Sequence, residues 1–157
     1  MIRAIAAMDD RLGISVDTGI PWNVPADVER FRTLTMSSSV LMGYATYTEF
    51  ASPMPGRTNY VATRRTETLR DGFLPVNDLH SFFADGLEGD LWIIGGASLY
   101  ATTLEDVQEL ALTRVAGDFG CTKFFPTFQS TFRLSAEEVP PLAEGIPAIR
   151  FQTWERL

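Results

Sequence analysis

The sequence predicts an α/β fold, a mostly parallel sheet with helices on both faces and an antiparallel pair at its end. Three observations carry this. Eight apolar, β-branched-rich runs alternate with four helix-like stretches, the pattern of strands joined by crossover helices. Runs such as Leu91-Trp92-Ile93-Ile94 are apolar without interruption, as strands covered on both faces are. No helix-like stretch separates the last two runs, and Gly145-Ile146-Pro147 supplies a turn between them.

The elements follow in order. The first run, residues 1–8, is stopped by Asp9-Asp10. Residues 13–22 are glycine-bracketed and irregular, a loop leaving the carboxyl end of a strand, where it could serve as a lid or be plain surface. A helix is predicted over 25–35, with Asn23 and Pro25 as start signals. Strand 40–42 runs through Gly43 into a helix over 44–50. Strands 59–63 and 73–76 follow, then a helix over 79–84 begun by Asp78. Strand 91–94 meets Gly95-Gly96 and a helix over 97–104. Strands 109–115, 132–139 and 149–154 complete the chain.

Composition narrows the function classes. With 157 residues, 45% hydrophobic and 21% charged, the chain is expected to form one globular domain over residues 1–157. No run reaches membrane-spanning length, and the early acidic pair argues against a signal peptide. A single cysteine, Cys121, excludes an internal disulfide and points to a reducing, cytoplasmic setting. A single histidine, His80, leaves little room for a His-built metal site, so no metal is expected. His80 itself is expected on a solvated helix face or a wet edge. The net charge of −7 argues against nucleic acid and anionic membranes as partners. Yet residues 30–70 hold six arginines against Glu49 and Glu67, a basic third suited to a small anionic ligand.

Chemistry-bearing residues stand out against this frame. Val24, Phe31 and Leu34 recur at helical spacing around Asp27, which puts a carboxylate on an apolar stripe. Such a group is costly without a partner. It is either a secondary cap at the helix start or the acid at the floor of an apolar pocket, awaiting paired N–H donors. The strand–glycine–helix junctions at Gly43 and at Gly95-Gly96 could each offer free backbone N–H groups to an anion, or be simple turn chemistry. The dinucleotide fingerprint G-x-G-x-x-G and the P-loop are both absent. Thr63-Arg64-Arg65 ends a strand, where two arginines suit a phosphate or lie solvated. Arg57 follows the stiff turn Pro53-Met54-Pro55-Gly56 and suits a carboxylate.

The ordered set Ile5-Ala6-Ala7, Pro21-Trp22-Asn23, Pro25-Ala26-Asp27, Phe31, Met42-Gly43, Thr46, Pro55-Gly56-Arg57, Ile94-Gly95-Gly96, Tyr100, Thr113 and Phe125-Pro126 resembles the dihydrofolate reductase family, across nearly the whole chain. The resemblance implies a three-layer fold, an eight-stranded mostly parallel sheet with an antiparallel C-terminal hairpin and four flanking helices. It implies reduction of 7,8-dihydrofolate to 5,6,7,8-tetrahydrofolate with NADPH as cofactor, antifolate small molecules as further ligands, and a monomer. Asp27 would bind the pterin, with Thr113 supporting it, Trp22 holding a water near it and Tyr100 beside the reacting centre. Ile5, Ala6, Ala7, Val28, Phe31, Phe50, Met54 and Ile94 would line the substrate pocket, and Arg57 would pair with the substrate's α-carboxylate. Ala7, Ile14, Ile20, Gly43, Tyr44, Ala45, Thr46, Thr63, Arg64, Arg65, Ile94, Gly95, Gly96, Ala97, Ser98, Leu99 and Tyr100 would hold the cofactor, with a cis peptide between the paired glycines. Tyr44 stands where many members carry an arginine toward the cofactor phosphate, and Arg64 and Arg65 would compensate.

Overall fold

The computed structural model describes all residues 1–157. Its main sheet has eight strands in the order β5-β4-β3-β6-β1-β7-β10-β9. These are β1 (Ile2–Met8), β3 (Ser39–Gly43), β4 (Thr58–Ala62), β5 (Phe73–Val76), β6 (Leu91–Ile93), β7 (Glu109–Val115), β9 (Phe132–Glu138) and β10 (Ile149–Arg156). All neighbours from β5 to β7 pair in parallel, and β10 runs antiparallel to both β7 and β9. The expected architecture is present, terminal hairpin included.

Four helices cover the sheet: α1 (Pro25–Thr35), α2 (Tyr44–Thr48), α3 (Leu79–Ala84) and α4 (Ala97–Thr103). The period-two alternation of the strands sorts them onto two faces. Ala4, Ala6, Met8, Leu41, Ile93, Leu110 and Leu112 turn toward α3 and α4 and form one core with Leu99, Tyr100 and the Phe125–Phe128–Phe132 cluster. Ile5, Val40, Met42, Val61, Trp92 and Ala111 turn the other way, where Phe31 and Leu34 of α1 and Tyr47 of α2 pack on them. The interior strands are apolar on both faces because both faces are covered.

Helix starts match the sequence signals, though Asn23 caps nothing at α1. Asp78 caps α3 by accepting from the Ser81 N–H at 3.2 Å. Gly43 and Gly96 stand at the starts of α2 and α4, and neither helix has a side-chain cap. At α1 the Ncap position is Val24, without a capping side chain, and Pro25 sets the first turn. Helix α2 ends at Thr48, short of residue 50, and a 3-10 turn, Leu104–Asp106, takes over after α4.

The stretch read as an irregular loop holds a second, two-stranded sheet: β2 (Gly13–Ser15) pairs antiparallel with β8 (Lys123–Phe124). Strands this short carry no periodicity to read. Buried Asp9 anchors them. Its carboxylate accepts backbone N–H bonds from Arg11 (3.0 Å), Gly13 (2.8 Å) and Phe119 (3.1 Å), joining the loop after β1 to the loop after β7. Gly13 must be glycine, since a Cβ there would sit 2.4 Å from the Cys121 Cβ.

Candidate active site

The carboxyl ends of β1, β3, β4, β6 and β7 lie along one edge of the sheet, as parallel strands require. A single cavity of about 1570 Å³ opens there. Its lining takes in Ile5, Ala6 and Ala7 of β1, Asp27, Val28 and Phe31 of α1, and Phe50 beyond α2. On the other side stand Gly43, Tyr44, Ala45, Thr46, Ile94 and the run 95–100. Ile14 and Ile20 border it from the β2 loop, and Thr63, Arg64 and Arg65 from the end of β4. One space therefore gathers most of the residues expected to touch substrate and cofactor.

Asp27 faces this cavity from the first turn of α1, on the helix side toward β7. The Thr113 hydroxyl donates to its Oδ1 at 2.6 Å. None of the protein's ion pairs includes it. Burial pushes its pKa above the ordinary aspartate value, against the lowering effects of the Thr113 bond and the Arg30 charge. Asp27 is thus no helix cap: it is a partly desolvated carboxylate with acceptor capacity turned to the cavity.

Tyr100, buried in the middle of α4, donates its hydroxyl to the Ile5 carbonyl at 2.6 Å. Burial first, and the Asp27 charge second, push its phenol up, so it stays protonated at physiological pH. Its proton is committed to the β1 backbone at the point where β1 and α4 meet.

At the opposite end, the uncapped starts of α2 and α4 face each other. The Gly43 N–H donates to the Gly95 carbonyl at 2.8 Å, and the Gly95–Gly96 peptide is cis, as expected. Gly43 packs closely on the paired glycines, and Gly43, Gly95 and Gly96 all line the cavity without a side chain in the way. The Arg65 guanidinium lies 4.3 Å from the Tyr44 ring centroid, so Tyr44 serves Arg65 as a platform. Bare helix starts plus two rim arginines fit a dinucleotide carrying an extra phosphate.

Four expected residues lie outside the cavity lining. Thr113 acts on it through Asp27. Trp22 borders a separate hollow of about 330 Å³ with Phe119, Ile146 and Pro147, its ring edge-on to Phe119 at 5.2 Å. Met54 is tied to Asn59, whose carboxamide bonds both its N–H and its carbonyl. Arg57 is held by Thr35 Oγ1 (2.9 Å), the Pro55 carbonyl (2.6 Å) and the Arg32 carbonyl (3.1 Å) at the far end of α1. Those bonds use Nε and one N–H on each terminal nitrogen. One donor on each terminal nitrogen remains free for an anionic partner.

Residues outside the expected site set also reach the cavity, Ser15, Gly19, Asn77, His80 and Lys123 among them, together with Glu49, which the family resemblance had set near the substrate. His80 is exposed and stands at this rim, the wet edge expected of it. Asn77 donates to the Thr63 carbonyl at 2.8 Å, tying the end of β5 to the end of β4. The signal for both was positional: β4 and β5 are parallel neighbours, so their carboxyl ends share one edge.

The family model described as dihydrofolate reductase matches residues 1–156. The chain is 31% identical over 141 residues to the dihydrofolate reductase of Bacillus subtilis (strain 168), covering 88% of this chain and 83% of that one. It is 32% identical over 131 residues to a dihydrofolate reductase type 3 of Salmonella typhimurium, covering 83% and 81%. A solved dihydrofolate reductase from Enterococcus faecalis, complexed with NADP(H) and RAB-propyl, superposes with a TM-score of 0.91 at 26% identity, over 99% of this chain and 96% of that one.

Proposed function

The chain belongs to the dihydrofolate reductase family, and from that premise we propose how its own residues carry the family's reaction. The enzyme reduces 7,8-dihydrofolate to 5,6,7,8-tetrahydrofolate with NADPH. In our reading Asp27 receives the pterin. Its carboxylate accepts the paired N–H donors of the 2-amino group and ring N3, and Thr113 holds it in place to do so. The same charge favours a protonated pterin ring. Bound NADPH supplies the hydride. Ile5, Ala6, Ala7, Val28, Phe31, Phe50 and Ile94 wall the pterin from water; Arg57 takes the α-carboxylate of the substrate's tail with its two remaining donors.

The cofactor's phosphates are assigned to Gly43, Ala45, Thr46 and the backbone of 95–99. Arg64 and Arg65 take the 2′-phosphate, with Tyr44 steadying Arg65. Ile14, Ile20 and Tyr100 flank the nicotinamide, and Trp22 orders water on the lid side. Tyr100 commits its hydroxyl to Ile5, and in our reading water admitted past the β2 loop supplies the proton to the pterin. Residues 1–157 act as one domain and as a monomer in the cytoplasm, binding antifolates in the dihydrofolate half of the cavity. No helix is long and apolar enough to cross a membrane.

The observation that carries the reading is Asp27: a desolvated carboxylate at the cavity with a single protein donor and no ion pair. The test is the decay of NADPH absorbance with dihydrofolate, for the natural chain and for Asp27→Asn. The variant is expected to fold and lose most turnover near neutral pH, because an amide carries no charge. Turnover equal to the natural chain's removes Asp27 from the mechanism.

A further inference from the structure

Three residues lie side by side across the sheet above which α1 runs. Thr113 of β7 is paired with Phe151 of β10, and Phe151 with Glu138 of β9. Neighbouring strands are about 4.8 Å apart, so this row spans about 10 Å. Asp27 sits at one end, hydrogen-bonded to Thr113. One turn further along α1, Arg30 lays its guanidinium over the middle of the row, 4.7 Å from the Phe151 ring centroid. Its Nη1 is buried and has no hydrogen-bond partner. A guanidinium is rarely left so, because each unmade bond to a charged donor is costly.

Arg30 therefore stands between two carboxylates, Asp27 toward the cavity and Glu138 toward the sheet edge. We infer that Arg30 is a positioning residue for the reaction: fixed on Phe151 between the two carboxylates, its charge favours the anionic form of Asp27 that receives a ligand. This rests on the role given to Asp27 above. Phe151 is the element that makes it possible. The ring holds the cation by its face, within Coulomb reach of Asp27 yet short of the direct pairing that would take up the acceptors meant for a ligand. Glu138 is exposed, so solvent screens its hold on Arg30 more than that of Asp27.

Among the groups facing Asp27, the Thr113 bond also favours the anion, and more strongly, but Arg30 is the one that does so by charge. Thr113 on β7 gives a neutral hydrogen bond. Tyr100 on α4 is protonated, with its hydrogen turned to Ile5. Phe151 on β10 is uncharged. Arg30 is the cation that acts on Asp27, and burial opposes it by favouring the neutral acid.

The test titrates Asp27 in the free protein by carboxyl carbon NMR, its signal assigned by its loss in Asp27→Asn. Arg30→Met keeps an apolar stem over Phe151 and removes the charge; the Asp27 midpoint is expected to move to higher pH. Arg30→Lys restores a cation and is expected to bring the midpoint back toward that of the natural chain. The limb of the pH–rate profile governed by Asp27 should move with it, in the same direction and order. Should Arg30→Met not fold, Arg30→Gln replaces it with the same expectation. Coincident midpoints in the natural chain and the uncharged variant overturn the inference, as does a rate profile that stays put while the midpoint moves. The titration needs no turnover, so a failure of the role given to Asp27 would show separately, as full activity in Asp27→Asn.

Discussion

At the scale of single residues, the fold gives up stability where it buries the carboxylate of Asp27. The folded-state pKa of Asp27 lies above the ordinary value of 3.8 because burial penalises its charge. A carboxyl raised in this way contributes stability that is full below its unfolded value and lost as pH rises through the folded value. Asp27→Asn removes the ionisation and keeps an oxygen for Thr113. Thermal melts between about pH 4 and pH 8 should show the variant gaining on the natural chain as pH rises, reaching an equal or higher Tm near neutrality. A deficit that widens with pH would mean that the ionised carboxylate stabilises the fold. Much of this was readable beforehand, since an acid within the 24–31–34 apolar stripe already lacked an apparent partner. What the stripe left open was cap or pocket floor. The hydrogen bond to Thr113, 86 positions away in sequence, decides it, and no local pattern encodes such a contact.

At the scale of elements, the base of the β2 loop depends on one carboxylate. Burial alone would raise the pKa of Asp9, but hydrogen bonds from Phe119, Gly13 and Arg11 outweigh it and hold the group below its ordinary range. The sign is opposite to that of Asp27: the stability Asp9 contributes is full above its unfolded value and is lost as pH falls through the folded one. Asp9→Ala strands three N–H groups and should cost on the order of 3 kcal/mol. In hydrogen exchange, the amides of Gly13 and Phe119 should lose protection in the variant, and in the natural chain at acid pH; unchanged protection would show that the β2–β8 pairing holds the loop without Asp9. Here the sequence was legible only in part. Long, uninterrupted apolar runs announced the sheet, and glycine, proline and aspartate marked the helix starts. β2 and β8, with three and two residues, had no period to display, and Asp9 read as a stop signal.

At the scale of the whole molecule, the cavity lies between elements drawn from much of the chain, so filling it should tie them together. A ligand at 100 times its Kd stabilises the folded state by about 2.7 kcal/mol. For a chain of this size that is a rise in Tm of roughly 5–10 °C. NADPH should produce it, and NADH at the same concentration should produce less, since Arg64 and Arg65 would lack the 2′-phosphate. Equal rises would remove that phosphate from the Arg64 and Arg65 assignment. The overall topology was foreseeable because strands and helices alternate along the chain. Which strand carboxyl ends share a rim was not, and so the place of His80, Asn77 and Lys123 emerged only from the strand order.

Arg57 is anchored by three of its own hydrogens to Thr35, Pro55 and Arg32, at the end of α1 away from Asp27. A cation so moored is a fixed socket, set apart from whatever chemistry goes on at the other end of the helix. On the role proposed for Arg57, grip on the substrate's tail and turnover of its head would be separable properties of this enzyme. A compound made of the head alone would be blind to any change at position 57, and resistance to it would have to arise elsewhere.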